Sequence, residues 1–82
     1  MGNREMTNQI TIQRWEDLVS ELRHAAEQKS ITQEMIAERT GLIQSNISRL
    51  FALKYQPNIK TLLLVASAVG VNLKLEETEA LR

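Results

Sequence analysis

Apolar residues return along the chain with two different periods. Over about residues 14–28 they fall at Trp15, Leu18, Val19, Leu22, Ala25 and Ala26. The spacing is i, i+3, i+4, i+7, i+10, i+11, which places them on one arc of a helix. Glu16, Asp17, Ser20, Glu21, Arg23, His24, Glu27 and Gln28 fill the opposite arc. Ser30-Ile31-Thr32 breaks the pattern. Thr32 is suited to cap a second helix over about 33–40, since its hydroxyl accepts a backbone N–H of the next turn. Ile36 and Ala37 are its inward residues. Gly41 ends it by supplying left-handed backbone. After Leu42 and Ile43, a third helix over about 44–52 buries Ile47, Leu50 and Phe51. Lys54–Asn58 is a loop, because Pro57 drives Gln56 out of helical geometry. Asn58 caps a fourth helix over about 59–69, with Ile59, Leu62, Leu63, Ala66 and Val69 inward and Gly70 closing it.

Outside the helices the period is two. Ile10 and Ile12 alternate with Thr11 and Gln13; Val71, Leu73 and Leu75 alternate with Asn72 and Lys74. Both read as short strands, 10–13 and 71–75. They are too short to be stable alone and would pair with each other, within one chain or between two. Residues 1–9 are polar and aperiodic and read as a disordered tail; 76–82 read as an acidic tail. One domain therefore spans 10–75: an all-α core of four to five helices with short flanking strands. Trp15, Leu22, Ile36, Ile47, Leu50 and Leu63 are its expected buried residues. Leu64 and Ala68 fall opposite the inward face of the fourth helix. With Val71 and Leu73 they form the surface expected to join two copies of the chain.

Composition narrows the function classes. Eighty-two residues make one small domain, able to bury only roughly 60–65% of its unfolded surface. At 43% hydrophobic and 24% charged the chain is globular rather than disordered. With no cysteine and one histidine, His24, there is no disulfide, no thiolate metal site and no basis for a zinc site. No cofactor is expected. The longest apolar run, Leu62–Ala66, is far short of the roughly 20 residues of a membrane span. No apolar signal core opens the chain, so a cytoplasmic location is expected. No Ser/His/Asp set, carboxylate pair or glycine-rich phosphate loop is present, which argues against an enzyme.

The formal net charge is zero, but the charges are segregated. Residues 1–38 carry four basic and seven acidic side chains. Residues 39–74 carry Arg39, Arg49, Lys54, Lys60 and Lys74 and no acid. Residues 75–82 carry Glu76, Glu77, Glu79 and Arg82. Polyanion binding depends on the contacting face rather than on the total, so this acid-free stretch is a candidate phosphate-facing surface.

That stretch contains two short helices joined by a tight turn at a glycine, a helix-turn-helix pattern. Counted from Gln33, the residues Gln33, Ala37, Gly41, Ile47 and Leu50 stand at relative positions 1, 5, 9, 15 and 18. A small residue is needed where the helices cross, a glycine at the turn, and apolar residues to lock the pair. On the runs QEMIAERTGLIQSNISRLF and QPNIKTLLLVASAVGV the sequence resembles the Cro/C1-type, or XRE, helix-turn-helix family over about residues 15–70. The resemblance implies a lambda-repressor-like all-α fold that reads double-stranded DNA with its third helix. The outward arc of that helix holds Ser45, Ser48, Arg49 and Ala52, with Gln44 leading. Arg49 has the geometry to pair with guanine and Gln44 with adenine in the major groove. The resemblance assigns base reading to Gln44, Ser45 and Arg49, with Ser48 beside them. It assigns a phosphate contact, and bracing of Gln44, to Gln33. Arg39, Lys54, Tyr55, Asn58 and Lys60 are the flanking phosphate-contact candidates. The sequence departs from the family at two places. Ile43 stands where a capping Ser or Thr is usual, and Leu53 where Gly is frequent. The second departure predicts a longer or differently turned exit from the third helix.

The function expected is a DNA-binding regulator, a repressor in its simplest form, acting as a homodimer on a palindromic site. Two further readings fit the same residues: an antitoxin that binds a toxin protein and its own operator, and a purely protein-binding helical module.

Overall fold

Side-chain caps start two of the helices, and left-handed residues follow the ends of all four. The computed structural model describes residues 11–75. It has four helices in chain order: α1 (Trp15–Gln28), α2 (Gln33–Thr40), α3 (Gln44–Phe51) and α4 (Ile59–Val69). The expected tails, 1–9 and 76–82, lie outside the described residues, as does Ile10. Thr32 caps α2 by accepting from the Met35 N–H at 3.1 Å, and Asn58 caps α4 by accepting from the Thr61 N–H at 2.8 Å. Glu16 and Asp17 place negative charge in the first turn of α1, toward the positive end of its dipole.

The C-termini close through left-handed residues. Gly41 (φ 80°) donates to the Ala37 carbonyl at 2.8 Å and turns the chain from α2 into α3. At Gly70 (φ 84°) the Val71 N–H reaches back to Ala66 and the Gly70 N–H to Ser67. The same paired bonds close α1 around Ser30 (φ 57°) and α3 around Leu53 (φ 60°). In α3 the Lys54 N–H donates to Arg49 and the Leu53 N–H to Leu50, both at 2.9 Å. These pairs satisfy carbonyls that a helix end otherwise leaves without partners. The exit of α3 is therefore neither longer nor rerouted, contrary to the sequence expectation. Leu53 adopts the backbone conformation that glycine would, because two hydrogen bonds offset the steric cost of its Cβ.

Packing gathers one core from all four helices. α2 rests against α3 and α4, and α1 against α3 and α4. Val19, Leu22 and Ala26 of α1 meet Ile36 of α2, Ile47, Leu50 and Phe51 of α3, and Leu62, Val65, Ala66, Ala68 and Val69 of α4. Trp15, Leu18, Ile31, Ala37, Leu42, Tyr55 and Val71 border this core and are half-buried. No polar or charged residue is buried among the described residues. No helix there is long and apolar enough to cross a membrane.

The inward arc of α4 differs from the expected one. Leu63 and Ile59, expected inside, are 51% and 65% exposed, whereas Val65 is fully buried. Ala68, expected on the outer face, is buried, and Leu64 is half-buried. The sequence of α4 is apolar at almost every position, so periodicity alone does not choose an arc. Contact with both α1 and α2 does, and it selects Leu62, Val65, Ala66 and Val69, at i, i+3, i+4 and i+7.

The strand expectation also requires correction. Thr11–Gln13 and Val71–Leu75 form no ladder, and no strand occurs among the described residues. Among the described residues these runs have no partner edge. Val71 instead packs beneath the end of α4, while Leu73 and Leu75 face solvent.

Two stability predictions follow from this packing. Leu50→Ala, at a fully buried position, should cost about 2–5 kcal/mol; a thermal midpoint moved by only a degree would contradict its place at the core centre. Gly41→Ala and Leu53→Gly should shift the midpoint in opposite directions. A Cβ at Gly41 meets nothing within 4 Å, so its cost is the conformational one, about 1–2 kcal/mol. Leu53→Gly should gain up to about 1 kcal/mol, because glycine occupies the left-handed region without that cost. A fall in midpoint for Leu53→Gly would show that the leucine side chain contributes more than its backbone costs.

Candidate nucleic-acid interface

α3 is two-sided. Ile47, Leu50 and Phe51 anchor one side, each 4% exposed or less. Gln44, Ser45, Ser48, Arg49 and Ala52 are all exposed on the other. None of these five side chains makes a hydrogen bond or ion pair among the described residues. The outer face is thus a set of unengaged donors and acceptors on a helix whose orientation is set by its buried side. Asn46, at the edge of the arc, is half-buried.

The N-terminus of α3 has no side-chain cap. Ile43 occupies the cap position with extended backbone (φ −76°, ψ 134°), and its carbonyl accepts from Asn46 and Ile47. Its side chain is 65% exposed. Gln33, the first residue of α2, is half-buried and makes no hydrogen bond to Gln44, so the bracing implied by the resemblance is not made in the free chain.

Apart from Arg14, which pairs with Glu16, and Lys74, exposed after α4, the described lysines and arginines divide into two groups. Three are tied to helix C-termini. Arg23 of α1 donates to the Phe51 carbonyl at 3.2 Å, at the end of α3. Lys29 donates to the Val69 and Gly70 carbonyls at 2.9 and 3.1 Å, and Arg39 to the Ala68 carbonyl at 2.7 Å. The last turn of α4 contains no basic residue of its own. Cations from two other elements therefore supply the positive charge that its dipole favours. Arg39 spends one of its five N–H donors on the main chain of α4, and its exposed guanidinium keeps the others for the phosphate contact expected of it. The sequence held one signal for this role, the absence of a basic residue from the last turn of α4, but the tertiary partner was not readable from it.

Arg49, Lys54 and Lys60 form the second group. They are exposed and have no carboxylate or carbonyl partner among the described residues. No acidic residue lies between Arg39 and Leu75 to compete for them. Tyr55 is half-buried against the core, which fixes the loop that carries Lys54. Asn58 has its side-chain oxygen committed to the α4 cap, leaving the amide NH2 to donate outward. Lys60 sits in the first turn of α4, where a cation opposes the helix dipole and an anion would be favourable. No group of three or more His, Cys, Asp or Glu able to hold a metal ion occurs among the described residues.

No curated protein and no solved structure shows significant similarity to the chain. The model of a family described as Helix-turn-helix matches residues 22–75, which run from within α1 through α4 and include every residue of the exposed α3 face. With that match covering well over half of the sequence, and with Gln33, Ala37, Gly41, Ile47 and Leu50 folded into two interlocked helices about a left-handed glycine, the chain belongs to the Cro/C1-type (XRE) helix-turn-helix family of DNA-binding regulators.

Proposed function

We propose that this chain is a sequence-specific transcriptional regulator, a repressor in its simplest use, that inserts α3 into the major groove and binds a palindromic operator as a homodimer. The observation that carries the reading is the unengaged, acid-free face of α3, which carries Arg49, is backed by the core and is followed in the chain by the exposed Lys54 and Lys60. Ser45, Ser48 and Ala52 are short, which lets the helix approach base edges closely. Gln44 and Arg49 are the side chains long enough for bidentate pairs, with adenine and guanine respectively. Lys54, Lys60, the Asn58 amide and the Tyr55 loop hold the backbone, while Gln33 is available to a phosphate at the start of α2. Arg39 offers its remaining donors to a phosphate while fixing α4 against α2.

A single small module spans few base pairs, so specificity requires two. The surface best suited to join them is the stripe of α4 that the core leaves out. Ile59 and Leu63 are large and exposed at its N-terminal half; Ser67 and Gly70 are small at its C-terminal half. A two-fold axis across this stripe sets the large residues of one copy against the small residues of the other. A groove of about 300 Å³, lined by Leu63, Ser67, Gly70, Asn72 and Leu73 among others, is open beside it. This assignment replaces the interface expected from Leu64 and Ala68, and keeps Leu73.

Two measurements test these readings. Gln44→Ala should lose roughly 1–3 kcal/mol of discrimination at particular base pairs, while Lys54→Ala weakens all duplexes alike and lowers the salt slope by about one unit. Titrations against selected and random duplexes at several salt concentrations separate the two. An unchanged ratio for Gln44→Ala would remove it from base reading. Light scattering at micromolar concentration should give twice the chain mass, and Leu63→Glu should reduce it to one. A monomer throughout, or a dimer insensitive to Leu63→Glu, would refute the α4 interface.

A further inference from the structure

Resting on the DNA-binding reading above, we propose that Ile43 is a specificity-determining residue that reads the 5-methyl group of a thymine. Ile43 is 65% exposed, level with Ile59 as the most exposed large aliphatic residue borne by the helical body, and it belongs to no core contact. It occupies the cap position of α3 without capping: its side chain has no group to accept the free N–H groups of Gln44 and Ser45. A serine or threonine there would satisfy one of them and remove an exposed apolar surface at once. The backbone that carries it is nevertheless held firmly. Its carbonyl accepts from two residues of α3, its backbone is extended, and the preceding Leu42 packs against the core. Ile43 is thus a β-branched aliphatic group, restricted at χ1, on a fixed backbone at the leading end of the helix, one residue before Gln44. The same position is occupied by no charge and is followed by no acid up to Leu75. In a major groove, the partner for such a group is the one apolar element on a base edge, the thymine methyl. Contact with it buries both surfaces and gives the exposed isoleucine a use that solvent does not.

The test uses the full chain and the duplex obtained by selection from random sequence. Each thymine of a half-site is replaced in turn by uracil, which lacks only the methyl. At one position the wild-type protein should lose about fourfold in affinity, the value of roughly one buried methyl group. Ile43→Ala should bind the thymine duplex correspondingly less well and show no further loss on uracil. Ile43→Thr, which restores a capping hydroxyl, guards against an effect of helix stability and should keep part of the methyl preference. The inference fails if no thymine is sensitive to uracil, or if the sensitivity persists in Ile43→Ala. In either case intact selective binding leaves the DNA-binding reading standing. Absence of selective binding to any duplex overturns both.

Discussion

Helices of eight residues do not stand alone in water, because two turns of hydrogen bonds do not repay the cost of nucleation. α2 and α3 are both this short. Everything about the candidate interface depends on how they are held. The holding is done by interlocked aliphatic residues: Ile36 from α2 and Ile47 and Leu50 from α3, each 1% exposed or less, closed over by Val19, Leu22 and Val65. A face that must present Gln44, Ser45, Ser48 and Arg49 in fixed register can be built on a helix too short to be stable only because its opposite face is buried completely. Loss of packing at Leu50 would release the geometry of the outer face as well as stability.

Electrostatics adds a second layer to the same design. Helix C-termini in this fold are neutralised from a distance, by Arg23 for α3 and by Lys29 and Arg39 for α4. These contacts tie α1 and α2 to the ends of the helices they pack against. They also commit part of the donor capacity of these three side chains to main-chain carbonyls. Gly70 shows how tight this arrangement is: a Cβ there would meet the Lys29 ammonium at 3.0 Å, in addition to the strain of φ 84°. Arg49, Lys54 and Lys60 remain outside this network and exposed: Arg49 on the outer face of α3, Lys54 in the loop that follows it, and Lys60 in the first turn of α4.

The two ends of α3 are where local preference yields. Ile43 caps nothing, and Leu53 takes a left-handed backbone at φ 60°. Both are exposed aliphatic residues at positions where a polar cap and a glycine would be locally better. Departures from local preference that recur at both ends of one functional helix direct attention to what that helix touches rather than to how it folds.

The amino-acid sequence by itself determined the elements and the motif. Thr32, Gly41, Asn58 and Gly70 mark helix ends by backbone chemistry that acts within a few residues, so α2 and α4 were legible to the residue. The inward faces of α1 and α3 were legible because their polar and apolar arcs are distinct. The exposed face of α3 followed as the complement. Only the tertiary structure decided the rotation of α4, whose apolar residues surround it and whose buried arc is chosen by the neighbours it meets. It likewise decided that Val71–Leu75 has no strand partner among the described residues, and that Leu53 does not redirect the exit of α3. It also decided that Arg39 serves α4, since its guanidinium reaches a carbonyl 29 residues away in sequence, which no local pattern can indicate.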